Sequence, residues 1–393
     1  MDPLRIGVVG IGARSPLAAL ADSSSVPARL VAAADTAPDA VARAERLLPP
    51  GVEVVPDHRR LLDRGLDGVV LTTPDDTHEE LAIDFLRAGV PVYLEKPLAI
   101  TLEGADRVLA AARRTGTRLY VGHNMRHMAV VRLLKEVVDR GEIGEVKAIW
   151  CRHFVGNGGD YYFRDWHAER SRVTGLLLQK AAHDIDVMHW IAGSATARVV
   201  GMGDLMVYAS RPRREPGTSA GMMMRDWLSH NHWPADEVTG LNPVIDVEDL
   251  SMVMMRMRNG VMASYQQCHF TPDYWRSYTV IGTRGRAENL GDGDGGVVRV
   301  WTRRTGYAER GSAEYPIIEE GAGHEGADRR TMDEFLRFAR EGGATETSPV
   351  AAREAVAAGA LATASLRSGS LPRDVPELDP SLAAYFARGQ VEA

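Results

Sequence analysis

Apolar residues follow two successive rhythms along this chain. Up to about residue 122, short apolar runs alternate with segments of helical period. Residues 4–9, 26–34, 67–72, 90–94 and 119–122 read as buried strands. Residues 39–48, 78–88 and 102–115 carry the spacing of helices between them. Strand and helix in alternation predict a parallel sheet covered on both faces. Beyond a further helix at 130–140 the rhythm changes. Residues 146–154, 197–207, 250–258, 261–269, 277–281 and 297–302 read as strands with few helices between them. Asn259-Gly260 joins two of these runs and is a strong hairpin signal. One helix, at about 179–191, interrupts the series. The tail at about 328–366 is helical, with Met332, Phe335, Leu336 and Phe338 on its apolar face.

The expected fold class is therefore α/β with two parts. Residues 1–123 form a Rossmann-type dinucleotide-binding domain. Residues 124–372 form an α+β domain with a large, open, mainly antiparallel sheet for substrate binding and oligomerisation. Residues 373–393 are a C-terminal tail, and the end helices are free to return to the first domain. Residues 210–246 fit neither rhythm. Their prolines, glycines, three consecutive methionines, Trp227, Trp233 and His230-Asn231-His232 favour an ordered lid over a linker.

Composition narrows the function. A chain of 393 residues is long enough for two real cores. A net charge of −7 leaves no basic surplus to neutralise phosphates, which argues against a nucleic-acid partner. No run reaches the length of a membrane span, and a strand starting near Leu4 leaves no room for a signal peptide. Cys151 and Cys268, the two cysteines, form no disulfide framework or zinc motif. The expected compartment is a reducing cytoplasm.

The chemistry begins at the end of the first strand. Gly10-Ile11-Gly12-Ala13-Arg14-Ser15 follows it, and the next strand ends in Asp35. Strand, glycine turn, helix, strand and acidic residue are the parts of a dinucleotide-binding βαβ unit. Gly10 permits the tight turn, and Gly12 lets the backbone approach a pyrophosphate. Asp35 accepts hydrogen bonds from a ribose and repels a 2′-phosphate. With no arginine in Thr36-Ala37-Pro38, this favours NAD over NADP. Arg14, in the glycine loop, is the residue able to reverse that choice. Ser15 stands where the fingerprint has its third glycine.

Two further groups carry reactive side chains. Glu95-Lys96-Pro97 closes a parallel strand, at the end where open α/β sheets bind ligands. Its bland alternative is a surface lysine. On the helix near 179–191, Gln179, His183 and Asp186 share one face, and histidine suits proton transfer near neutral pH. A structural histidine is the alternative there. His183, Asp186 and His189 match no zinc signature, so no metal is expected.

Taken together, these residues resemble the glucose-fructose oxidoreductase / inositol dehydrogenase / rhizopine-catabolism (Gfo/Idh/MocA) family. The resemblance rests on Gly10-Ile11-Gly12, Thr73-Pro74 with His78, and Glu95-Lys96-Pro97-Leu98. It continues through Gly122-His123-Asn124-Met125-Arg126 and Gly141-Glu142-Ile143-Gly144-Glu145-Val146 to His183-Asp184-Ile185-Asp186. It implies an NAD(P)-dependent oxidoreductase that moves a hydride between nicotinamide and a secondary hydroxyl or ketone. The implied substrate is a sugar, sugar derivative or cyclitol lying between the domains. Lys96 would hold the reacting hydroxyl, and His183 would be the general base. Gly10, Gly12, Ala13, Arg14, Asp35, Thr73, Pro74, His78, Glu95 and Lys96 would meet the cofactor. Asn124, Arg126, Arg164, Trp166, Gln179, Lys180 and His183 would meet the substrate. The resemblance also implies a homodimer or homotetramer formed through the open sheet.

One departure matters. Many members place an aspartate four residues before the histidine, where this chain has Gln179. Glutamine takes no proton, and the adjoining Lys180 is available instead. Two other readings stay open. One is a redox-neutral, NAD-dependent enzyme that cleaves a glycoside or epimerises a sugar through transient oxidation. The other is a dinucleotide-binding sensor without catalysis.

Overall fold

The computed structural model describes residues 2–218, 233–319 and 325–392. The chain forms two compact units: residues 1–127 with 324–356 and 377–393, and residues 128–323 with 357–376.

The first unit is built on a six-stranded parallel sheet. Its strands are β1 (Leu4–Val9), β2 (Ala28–Ala34), β3 (Glu53–Val55), β4 (Gly68–Leu71), β5 (Val92–Leu94) and β6 (Leu119–Val121). They lie in the order β3-β2-β1-β4-β5-β6, the doubly wound order whose direction of winding reverses between β1 and β4. The strands are apolar along nearly their whole length because both faces are covered. The helix Leu102–Thr115 shows how local chemistry fixes ends. The Thr101 side chain accepts from the Gly104 N–H at 3.0 Å, and Gly116 closes the helix at φ 69°.

The end of the chain returns to this unit. Met332, Phe335, Leu336 and Phe338, on the helix Glu325–Glu341, share a core with Ile6, Val8, Val70 and Tyr93. Of the expected tail 373–393, residues 377–393 belong here as well, while 373–376 belong to the second unit. Gln390 accepts from the Leu119 N–H at 2.8 Å and donates to the Leu119 carbonyl at 2.7 Å, so it caps the edge of β6. Residues 124–127 also fall in this unit, a few residues past the expected break at 123.

The second unit carries a nine-stranded sheet in the order β14-β13-β12-β11-β7-β10-β9-β8-β15. Its strands are β7 (Val146–Val155), β8 (Thr196–Asp204), β9 (Leu250–Met257), β10 (Met262–Cys268), β11 (Tyr274–Gly282), β12 (Arg286–Leu290), β13 (Val297–Trp301), β14 (Ala313–Pro316) and β15 (Arg373–Asp374). Every neighbouring pair is antiparallel except β7 and β10. The hairpin at Asn259-Gly260 joins β9 to β10, with Gly260 at φ 87°. The helix expected near 179–191 is two pieces, Leu176–Gln179 and Ala181–Ala192, with Lys180 between them in helical conformation.

Of the segment 210–246, residues 219–232 lie outside the described residues. Trp227 and His230-Asn231-His232 of the expected lid lie among these. The flanks are anchored: Arg214 Nη2 donates to Asn242 Oδ1 at 2.7 Å, and the Asn242 N–H donates to the Phe163 carbonyl at 2.8 Å.

Candidate active site

In the first unit, the glycine loop sits where β1 ends beside β4. Gly10 adopts φ 91°, and a Cβ there would lie 2.9 Å from the Thr72 carbonyl. Only glycine fits this turn. A Cβ on Gly12, in contrast, would meet nothing within 4 Å, so the loop leaves open space at the position where a pyrophosphate must approach. The following α-helix is a single turn, Pro16–Ala19, that passes into a 3₁₀ turn. Its dipole is accordingly weaker than a full helix would supply. Ser15 is buried, and its hydroxyl donates to the Gly12 carbonyl at 2.8 Å, which ties the loop back on itself.

Asp35 is built into the same loop. Its carboxylate accepts from the Ile11 N–H at 2.7 Å and the Ala37 N–H at 2.8 Å. Each oxygen keeps a lone pair for a ribose hydroxyl. Ala13 is exposed, and Thr73 and Pro74 are partly buried at the end of β4. His78 is buried, with Nδ1 2.7 Å from the Pro97 carbonyl and Nε2 3.0 Å from the Thr73 carbonyl. Its ring ties the loop after β4 to the loop after β5.

The decisive electrostatic feature here is Arg14. Its Nη2 lies 2.5 Å from Glu95 and its Nη1 2.7 Å from Asp328. Both carboxylates stand against one guanidinium, and they outweigh the burial that would otherwise disfavour its charge. Asp328 also accepts from the Asn124 amide at 2.8 Å. Arg126 donates to the Glu346 carbonyl at 2.6 Å. Asn124 and Arg126 are therefore bonded to the returning C-terminal segment of the same unit. Sequence reading named Arg14, Glu95 and Asn124 separately, and nothing in their spacing pointed to Asp328. Lys96 follows β5 and is partly buried.

In the second unit, Gln179, Lys180 and His183 are all buried at the start of the helix Ala181–Ala192. Lys180 Nζ donates to the Tyr274 hydroxyl at 3.0 Å. It also lies 5.4 Å from the ring centre of Tyr162 and 5.5 Å from that of Tyr274. Trp166 stacks on His167 at 3.8 Å, and Arg164 Nη2 donates to the Thr239 carbonyl at 3.0 Å. His189 is structural: its Nε2 accepts from the Thr196 N–H at 3.1 Å. Among the described residues, no group of three His, Cys, Asp or Glu is placed to hold a metal ion. No described helix is long and apolar enough to cross a membrane.

Beneath these residues lies a buried polar network that the sequence reading missed. Asp184 accepts from Arg276 Nε at 3.0 Å, Tyr265 Oη at 3.1 Å and the Tyr278 hydroxyl, and His153 Nδ1 stands 3.1 Å away. Burial alone would raise this carboxyl. Arg276 and His153 reverse that effect and hold it well below the usual carboxylate range. Burial, then Arg276, pushes His153 down to about 3, so its ring is neutral. The network had one signal in the sequence. Cys151/His153, Tyr265/Gln267 and Arg276/Tyr278 each occupy alternate, inward positions of strands otherwise lined by apolar residues.

Comparison with known proteins decides the family. Residues 4–123 match the model of the oxidoreductase family with an NAD-binding Rossmann fold, and residues 131–288 match the GFO/IDH/MocA C-terminal domain. The chain belongs to the GFO/IDH/MocA oxidoreductase family. Inositol 2-dehydrogenase of Burkholderia multivorans is 34% identical over 203 residues, which are 50% of this chain and 57% of that protein. The chain thus spans little more than half the length of the curated relatives it matches. Two solved structures share the fold. An oxidoreductase domain protein from Kribbella flavida has TM-score 0.78 at 21% identity, covering 96% of this chain and all of that one. A levoglucosan dehydrogenase in complex with NADH and levoglucosan has TM-score 0.76 at 20% identity, with 96% and 100% covered.

Proposed function

We propose that this chain is an NAD-dependent dehydrogenase that interconverts a secondary hydroxyl and a ketone on a cyclitol or sugar. The observation that carries the reading is the cradle at the end of β1. Gly12 opens the backbone, and Asp35, bonded to the Ile11 N–H, keeps lone pairs that would accept from a ribose. Gly10, Gly12, Ala13, Asp35, Thr73 and Pro74 would hold the dinucleotide. When bound, its nicotinamide supplies hydride acceptance or donation. Arg14 is engaged by Glu95 and Asp328, so it is not offered to a 2′-phosphate, which supports NAD over NADP.

The chain's own side chains have simpler tasks. The Lys96 ammonium holds the reacting oxygen and steadies charge that develops on it. His183 takes the hydroxyl proton during oxidation and returns it during reduction, a role usually worth about 10²–10⁴-fold in rate. Asn124, Arg126, Arg164, Trp166 and Gln179 are the candidate polyol contacts, by their hydrogen-bonding groups and one aromatic face. Relatives named inositol 2-dehydrogenase and levoglucosan dehydrogenase support that substrate class.

We further infer a homo-oligomer formed through the open face of the nine-stranded sheet. Trp150, Met202 and Met254 are each more than half exposed there. Register places Val200 beside Met254, and Ser264 beside both Met254 and Trp150. Exposed large apolar side chains in one row, with only Ser264 between Met254 and Trp150, call for a partner surface, and a second copy supplies an identical one.

The test is a panel of cyclitols, sugars and glycosides incubated with NAD⁺. Accumulation of NADH with one equivalent of ketone supports the proposal, and loss of both in Lys96→Ala and His183→Asn supports the assigned roles. A glycoside cleaved without lasting NADH would replace it with the redox-neutral reading.

A further inference from the structure

Arg14 stands between two motifs that the proposed reaction needs. Its Nε and Nη2 donate to Glu95 Oε1 at 3.0 and 2.5 Å, and its Nη1 donates to Asp328 Oδ2 at 2.7 Å. Nη2 also reaches Asp328 Oδ1 at 3.1 Å, so one nitrogen draws two carboxylates together. Both carboxylates are buried.

Neither carboxylate ends its bonding at Arg14. Glu95 Oε2 accepts from the backbone N–H of Lys96 at 3.2 Å. Asp328 Oδ1 accepts from the Asn124 amide at 2.8 Å. One guanidinium on the glycine loop is therefore joined, through one carboxylate each, to the backbone of Lys96 and the side chain of Asn124. Beyond Lys96, the Pro97 carbonyl lies 2.7 Å from His78 Nδ1, so the turn is held on both sides of the lysine. All of these residues belong to the first unit.

The shape of the group explains why an arginine is needed. Its planar fork offers N–H donors in fixed directions and serves two carboxylates at once, whereas a lysine ammonium is a flexible point charge. Without a cation between them, two buried carboxylates repel, and at least one must turn away or take a proton. Either response loosens what that carboxylate holds: the Lys96 N–H on one side, the Asn124 amide on the other.

We propose that Arg14 is a positioning residue: from the dinucleotide loop it fixes the backbone of Lys96 through Glu95 and the amide of Asn124 through Asp328. The roles of Lys96 and Asn124 rest on the dehydrogenase reading above. The loop that would receive the dinucleotide and two groups that would meet the polyol thus form one bonded assembly.

The test uses the full-length protein with Arg14→Ala and Arg14→Lys. The chain's lysines are Lys96, Lys135, Lys147 and Lys180, and Lys96 alone lies in the first unit. Labelling with ¹⁵N-lysine gives one backbone amide signal for each, so the other three are internal controls. With no dinucleotide or substrate present, the Lys96 signal should shift in both variants and exchange with solvent at least about 10-fold faster, while the others stay in place. Guanidinium ion added to Arg14→Ala should return it, and uncharged urea should not. With the polyol that reduces NAD⁺, both variants should lose at least about 10-fold in kcat, with NADH affinity little changed. Guanidinium should restore kcat in Arg14→Ala. A Lys96 signal unmoved by Arg14→Ala, or an Arg14→Lys enzyme with wild-type kcat, overturns the proposal. If Arg14→Ala does not fold, Arg14→Lys, which keeps the charge, decides by the same signal. If the wild type binds NADH but oxidises no polyol, the dehydrogenase reading fails, and the Lys96 signal still decides whether Arg14 holds this turn.

Discussion

Replacing Asp184 with asparagine tests the buried network that supports the helix of His183. The wild-type carboxylate accepts from Arg276, Tyr265 and Tyr278 and faces His153 Nδ1, with no exposure to solvent. Asparagine has the same shape but turns one acceptor into an N–H₂ donor and removes the charge. Arg276 is then a buried cation without its partner. Breaking a buried ion pair from one side costs about 3–5 kcal/mol. For a unit of this size each kcal/mol moves the melting temperature by roughly 2–4 °C. The transition of the second unit should therefore fall by about 6–20 °C in scanning calorimetry. Amide exchange should accelerate in β7, β10 and β11 and stay unchanged in β1 to β6.

The sign with pH is fixed as well. Asp184 has a folded pKa below its unfolded value of about 3.9. Its contribution is complete above that value and is lost as pH falls through the depressed folded pKa. The gap between wild type and Asp184→Asn should be constant near neutrality and shrink only in strong acid. A loss under about 1 kcal/mol, or a gap that closes between pH 5 and 7, would refute the reasoning, because neither fits an ionised, fully bonded carboxylate.

Three further outcomes follow from the same geometry. Gly12→Val should melt like wild type, since its side chain enters open space. It should nevertheless lose at least about 10-fold in NADH affinity, or 1.4 kcal/mol, whereas Gly10→Ala, forced against Thr72 at positive φ, should cost about 1–3 kcal/mol of stability; calorimetry and fluorescence titration separate the two. Asp328→Asn releases one side of the Arg14 guanidinium and should raise the NADPH-to-NADH affinity ratio in a paired titration. Trp150→Glu with Met254→Glu should shift the oligomer to monomer in light scattering, without changing the melting of the first unit.

Much of this architecture was legible because its signals are local. Leu4–Val9, Gly10, Gly12 and Asp35 lie within one βαβ unit, and Asn259-Gly260 dictates its hairpin regardless of context. The helix Leu102–Thr115 was read to the residue because Thr101 and Gly116 cap it. Strands β3, β12, β14 and β15 escaped notice because they are short or, as in Arg286–Leu290, alternate polar with small residues. Their pairing is decided by neighbours rather than by their own propensity. The same holds for the site. Lys96 and His183 sit in readable motifs. The partners of Arg14 and Lys180 do not: Asp328 is more than 300 positions from Arg14, and Tyr274 is 94 from Lys180. A one-dimensional pattern carries no trace of such contacts. Asn124 and Arg126 were placed in the second domain for the same reason, since their partners Asp328 and Glu346 return from far along the chain.

The central claim is that this GFO/IDH/MocA member is a working NAD-dependent enzyme. The most direct measurement is fluorescence titration of the purified protein with NADH and with NADPH, after mass spectrometry of any nucleotide it releases on heat denaturation. The account predicts saturable binding of NADH, tighter than NADPH and abolished by Gly12→Val. Binding of neither dinucleotide, by a protein that also carries none, would contradict it.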